Sequence, residues 1–198
     1  MVGFGNYYFQ IAIFASKGVG KKSLKDYFGL QFKSNTAMTM GVEFLGKKME
    51  VEGQMIKLSI QLFFYEEFQD IRKDYLFPMA SRRSGVILLY DITDRRTFDI
   101  LSEWCQKIKR YREDIPIFLV GNKIDLKGFR EVTEEQVDQF KKANKIFTSV
   151  EISIKTGENV EEVLKGIIRV LLFFYSHKSE NKSEKRIHTP KSKKRKKR

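Results

Sequence analysis

Two short runs, Val86–Tyr90 ("VILLY") and Ile115–Val120 ("IPIFLV"), contain no polar residue except the tyrosine hydroxyl. A strand with one wet face alternates polar and apolar residues. A strand covered on both faces does not, and reads as a continuous apolar run. Between the two runs lies a helical pattern, Thr97–Arg112. Buried strands joined through a helix imply βαβ units, a mainly parallel sheet and right-handed crossovers.

The rest of the chain fits this frame. Tyr8–Ala15 is apolar and ends at a glycine-containing turn, and a helix-like segment then runs from Gly20 to about Gly29. Val42–Val51 and Met55–Phe64 are strand candidates separated by Glu52-Gly53-Gln54, which predicts an antiparallel hairpin. Thr133-Glu134-Glu135-Gln136 has the form of a capping box. Phe147–Ser153 is a further short strand. Asn159–Glu162 resembles a second cap, opening a helix with Val160, Val163, Leu164, Ile167, Ile168 and Leu171 on one face. The predicted architecture is α/β: a mostly parallel six-stranded sheet with one antiparallel strand and helices on both faces.

Charge divides the chain in two. Residues 176–198 hold eleven Lys/Arg and two Glu, which is +9 of the formal +13; the body carries the remaining +4. The basic character belongs to the tail. Beyond Tyr175 apolar residues almost vanish, so 1–175 reads as one domain and 176–198 as a disordered polybasic tail. The single cysteine, Cys105, allows no intramolecular disulfide, which fits a reducing compartment. No apolar run reaches membrane-spanning length. The first sixteen residues lack the basic leading region of a signal peptide and read as a buried strand. The expected location is cytoplasmic.

In such a sheet, ligands sit on the loops at the carboxyl ends of the strands. The loop after the first strand is Ser16-Lys17-Gly18-Val19-Gly20-Lys21-Lys22-Ser23. Gly18 and Gly20 allow backbone N–H groups to turn onto phosphate oxygens, and the following helix adds its dipole. Lys21 would reach the β/γ-phosphates. Read alone, the stretch is equally a tight turn with solvated lysines. Downstream come "GNKIDL" (Gly121–Leu126), after an apolar strand, and Glu151-Ile152-Ser153-Ile154-Lys155-Thr156-Gly157. With "TMGVEF" (Thr39–Phe44), "YDITD" (Tyr90–Asp94) and "KTGENVEEV" (Lys155–Val163), the order and spacing resemble the Ras superfamily of small GTPases, nearest its Rab-like branch. The resemblance runs from Tyr8 to about Tyr175 and implies the P-loop small-GTPase-like fold.

It also implies a guanine site, for GTP or GDP. Gly18, Val19, Gly20, Lys21, Lys22 and Ser23 form its phosphate loop. In the family the aspartate of N-K-x-D, here Asp125, accepts hydrogen bonds from the guanine N1 and amino groups; an acceptor-only carboxylate rejects adenine. Asn122 would tie the loops together and the stem of Lys123 would pack along the base. Ser153-Ile154-Lys155 resembles S-A-K, whose middle backbone N–H meets the guanine oxygen.

The metal and hydrolysis half departs from the family. The first loop glycine is Ala15, and Lys17 fills a position where a small residue is favoured. The magnesium-binding hydroxyl position is Lys22, and an ammonium has donors only. Ser23 comes one residue late, about 100° round a helix. The D-x-x-G-Q motif is absent from "QLFFYEEF" (Gln61–Phe68): aligned from the strand, Leu62 replaces Asp and Tyr65 replaces Gly; aligned from Glu67-Phe68, Tyr65 replaces Gln and one residue is missing. Thr39 survives as the first-switch threonine without companions. The resemblance thus implies no catalytic residue and no complete magnesium ligand set. Lys22 either supplies the missing cation's charge or points to solvent. Phe63 and Phe64 extend the third strand, or else expose an aromatic partner surface. "FPMASRRSG" (Phe77–Gly85) reads as a lengthened connection carrying Arg82 and Arg83.

Three functions follow from this pattern: a guanine-binding interaction module with little hydrolysis, a GTPase completed by a partner, or a nucleotide-free scaffold. Effectors and regulators are unspecified. The chain ends "KSKKRKKR" with no cysteine nearby, so no prenyl anchor is expected. The tail suits anionic lipid or nucleic acid phosphate, and peripheral membrane contact is the favoured reading.

Overall fold

The apolar runs become the middle of one sheet. In the computed structural model, which describes residues 6–28, 42–64 and 70–187, six strands lie in the order β2-β3-β1-β4-β5-β6. They are β1 (Asn6–Ala15), β2 (Val42–Val51), β3 (Gln54–Phe64), β4 (Gly85–Asp91), β5 (Ile117–Asn122) and β6 (Thr148–Glu151). Only the β2–β3 pairing is antiparallel. Its hairpin turns at Glu52 and Gly53, with φ of 53° and 72°. Both values are left-handed, as the twist of a two-residue hairpin turn requires.

The helices are α1 (Lys21–Phe28), α2 (Asp70–Ser81), the single turn α3 (Arg96–Asp99), α4 (Leu101–Tyr111), α5 (Glu134–Asn144) and α6 (Val160–Ile187). Two cores confirm that the sheet is covered twice. Ile11, Ile13, Ile87, Leu89, Phe118 and Val120 point to one face, where Leu24 of α1 and Leu164, Ile168 and Leu171 of α6 meet them. Ala12, Phe14, Val86, Leu88, Ile117 and Leu119 point to the other, with Leu76 of α2, Trp104 of α4 and Val137 of α5. Strand parity sends alternate residues to opposite faces, so continuous apolar runs feed both cores.

Local signals are realised unevenly. The capping box on α5 forms: the Gln136 N–H donates to Thr133 Oγ1 at 3.2 Å, and the Thr133 N–H donates to Gln136 Oε1 at 3.0 Å. Asn159 takes another role. Its backbone is left-handed at φ 61°, and its side-chain amide donates to the Glu151 carbonyl, joining the start of α6 to β6. "FPMAS" is not a connection but the last turns of α2, with Pro78 inside the helix. A proline costs a helix one hydrogen bond, yet the packing of Leu76, Phe77 and Ala80 holds this one together. α6 continues to Ile187; 188–198 lie outside the described residues.

Candidate nucleotide site

The carboxyl ends of β1, β4, β5 and β6 finish side by side. Ala15 is level with Leu89, Asp91 with Asn122, and Gly121 with Glu151. The strand order reverses around β1, the place where open α/β sheets form their ligand crevice. The described loops that carry the candidate residues of the phosphate loop, "GNKIDL" and the Ser153–Lys155 segment leave from this edge.

The phosphate-type loop starts at the end of β1. Gly18 and Gly20 have φ of 91° and 119°, in the region where a Cβ is strained. Val19 is fully buried and belongs to the same core as Leu24, which anchors the loop from below. Lys21 opens α1; the Leu24 N–H donates to the Gly20 carbonyl at 2.9 Å. Lys17 and Lys22 are exposed and Ser23 is half-buried.

Asn122, buried at the end of β5, joins two loops. Its Nδ2 donates to the Val19 carbonyl at 2.6 Å, and its Oδ1 accepts the Ile154 N–H at 2.9 Å. The phosphate loop and the S-A-K-like segment are therefore held through one side chain, as expected for Asn122. The Ile154 N–H, which the resemblance assigns to a guanine oxygen, already donates to Asn122 Oδ1. The Ile154 side chain itself turns into the core, so its size is taken up there. Ser153 is fully buried and its Oγ accepts the Thr156 N–H.

Two glycines are fixed by contact. A Cβ on Gly20 would stand 2.8 Å from Asn122 Nδ2, and one on Gly121 would stand 2.8 Å from the Tyr90 hydroxyl. Asn122 cannot withdraw without releasing Val19. Gly20→Ala should therefore cost about 2 kcal/mol or more through strain and overlap. Melting curves of the variant and the parent, with and without GDP, measure this. An unchanged melting temperature would refute it.

One residue at this edge has no counterpart among the sequence candidates. Asp91, the aspartate of "YDITD", is buried at the end of β4. Its Oδ1 accepts both the Thr93 N–H and the Thr93 hydroxyl, and its N–H donates to Thr97 Oγ1. Its Oδ2 pairs with the ammonium of Lys123. Lys123 has left-handed backbone at φ 72°. A buried carboxylate thus fixes the lysine of N-K-x-D and helps set the path of the loop carrying Asp125. Asp125 and Lys155 are exposed on the same edge. Behind that loop, Arg130 makes a two-pronged pair with Glu151, at 2.7 and 2.6 Å. That hydrogen bonding pushes the guanidinium pKa up.

The described positions that stand where the D-x-x-G-Q motif is expected are apolar. Leu62 is fully buried and Phe64 nearly so, both in the core that holds Val19 and Leu24; Phe63 is buried in the opposite core. The phenylalanines extend the strand into the cores, as the first of the two readings had it. Thr39 and Tyr65 lie outside the described residues. No group of three or more His, Cys, Asp or Glu suited to a metal occurs among the described residues. Arg83 is remote from this edge. Its guanidinium donates to Gln61 Oε1 at 2.8 Å and Gln10 Oε1 at 3.1 Å, just before β4 begins. Arg82 is exposed beside it.

The sequence is similar to those of known proteins. A sequence model of the Ras family matches residues 10–173. The human Ras-related protein Rab-12 is 36% identical over 166 residues, which cover 82% of this chain and 66% of Rab-12. The human Ras-related protein Rab-30 is 35% identical over 162 residues, covering 80% of this chain and 77% of its own. Rat Ras-related protein Rab-4A is 34% identical over 170 residues, covering 84% and 76%.

Proposed function

The chain belongs to the Ras family of small GTPases, and on that premise we propose that it is a Rab-like guanine-nucleotide-binding module with weak GTP hydrolysis and little need for magnesium. The observation that carries the reading is Asn122, whose side chain joins the phosphate loop to the base-side loop. Asp125 accepts the guanine N1 and amino hydrogens. The Lys123 stem packs along the base while Asp91 holds its ammonium. The amides of Gly18, Val19 and Gly20, with Lys21, cradle the phosphates.

Magnesium does not suit the residues present. Lys22 offers donors only, Leu62 is a buried hydrocarbon, and Ser23 is turned away by one helical step. Lys22 lies exposed on the first turn of α1, free to swing toward a bound phosphate. A lysine about 4 Å from a phosphate charge, at an effective dielectric near 20, contributes about 4 kcal/mol before desolvation. A point cation of this kind supports binding. It does not bridge the β- and γ-oxygens in the fixed geometry that transfer needs. The protein then acts through partners that recognise its nucleotide-bound surface. It is cytoplasmic, and the basic residues 191–198 give peripheral contact with anionic membrane at about 1 kcal/mol per residue near the surface. No helix among the described residues is long and apolar enough to cross a membrane.

Titration with fluorescent GDP and GTP, in magnesium and in chelator, tests the proposal. Binding of similar strength in both is the expected result, and Lys22→Gln should weaken the chelator titration by roughly 100-fold, about 3 kcal/mol. Absence of guanine binding in both conditions would leave the scaffold reading. Sustained phosphate release on adding lysate would instead favour a GTPase completed by a partner.

A further inference from the structure

Nine large apolar side chains are strongly exposed among the described residues, and six of them stand at one end of the molecule. Tyr7 and Tyr8 lie at the start of β1, Met55 at the start of β3, Tyr111 at the end of α4, and Phe147 just before β6. Phe173 is in α6 near Tyr175, whose hydroxyl donates to the Ser84 carbonyl just before β4. Five strands begin at this end, which makes it the pole opposite the nucleotide site. Tyr175 ties it together: the Phe9 ring is 6.1 Å away, and Arg112 donates to the hydroxyl.

The same pole is basic. Lys57, Arg82, Arg110 and Lys145 are exposed there. Its acids include Glu50, Glu52, Glu113 and Asp114, all exposed; Asp114 pairs with Arg112 and Glu52 with Arg169. A cleft of about 900 Å³ between α4, α5 and α6 has Phe147 and Phe174 on its walls beside Lys109, Arg110 and Lys145. α6 passes this pole at Tyr175 and continues to Ile187.

We propose that this pole is a membrane-docking face, laid against an anionic lipid surface with its aromatic rings in the headgroup layer. Tyrosine and phenylalanine flanked by lysine and arginine suit the boundary between water and acyl chains. The charge complements an anionic leaflet within a Debye length. The exposed side chains come from separate elements across a broad end, not from one groove. Nucleic acid would call for rings along a groove, on which successive bases stack. In this pose the nucleotide edge faces away from the membrane.

The proposal extends the tail contact to the domain itself, and does not require guanine binding. Sedimentation of the full chain with phosphatidylcholine vesicles, with and without about 30% phosphatidylserine, tests it. The triple variant Tyr111→Ser, Phe147→Ser, Phe173→Ser should bind the anionic vesicles at least about tenfold more weakly while its GDP titration is unchanged. Neutralising Lys193, Lys194 and Arg195 to Gln reads the tail separately. A second variant, Phe147→Trp, reports insertion directly against the constant background of the buried Trp104. Its fluorescence should shift to the blue on anionic vesicles and be quenched by brominated lipid. Equal sedimentation of the triple variant and the parent, or an emission from the Phe147→Trp variant that anionic vesicles leave unmoved, would overturn the proposal. So would a parent that ignores anionic vesicles and binds single-stranded RNA instead. None of these results bears on the nucleotide titration.

Discussion

Asn122→Ala should lower guanine-nucleotide affinity by at least about 100-fold and destabilise the protein by roughly 2–5 kcal/mol. Two buried hydrogen bonds end on this side chain, from opposite directions. Removing it leaves the Val19 carbonyl and the Ile154 N–H without their partner. An unsatisfied buried group costs about 1–3 kcal/mol, more than the net worth of the bond it made. The affinity falls for a different reason. The phosphate loop and the base-side loop then have to be ordered separately when nucleotide binds. Chemical denaturation gives the first quantity and fluorescent-GDP titration the second. A variant that loses stability but binds GDP like the parent would show that the bridge holds the fold and not the site.

Leu62→Asp, which restores the family's acidic letter, should destabilise the protein by about 4 kcal/mol at neutral pH. Leu62 is fully enclosed by the apolar core that also holds Val19 and Leu24. The substitution removes packed methyl groups and inserts a charge without a partner. Burial raises the carboxyl pKa above its unfolded value. The folded form then holds more protons than the unfolded one, so stability falls as pH rises. The deficit should narrow on lowering pH from about 8 to about 5. Denaturation midpoints across that range measure it. If magnesium alone returned the variant to parental stability at neutral pH, the strand end would be a metal site and not part of a packed core.

Much of the frame was legible from the chain. "VILLY" and "IPIFLV" demanded a sheet covered on both faces, and their alternate residues do enter opposite cores. "GNKIDL" pointed to Asn122 as the tie between loops. What escaped was decided in three dimensions. Asp91 passed as one letter of "YDITD"; its spacing to Thr93 signals a local turn, but the pairing with Lys123 joins residues far apart in sequence. The inward path of Ile154 depends on which face its backbone presents, which a three-residue motif does not state. The helical "FPMAS" follows from buried neighbours outweighing a proline. Thr39 and Tyr65, on which the metal half also turns, lie outside the described residues.

The place of β1 in the sheet bears on how the chain comes off the ribosome. It is made before the other five strands, yet it sits between β3 and β4. The hairpin β2–β3 can close locally, as soon as its own residues have emerged. β1 must wait for Phe64 on one side and, on the other, for Gly85 and the residues after it. Until then the apolar segment Tyr7–Ala15 keeps at least one edge unpaired, the condition in which strands pair with the wrong chain. Synthesis from the amino end therefore exposes the centre of the sheet longest, and a chaperone that shields the first sixteen residues would act where misassembly starts most easily.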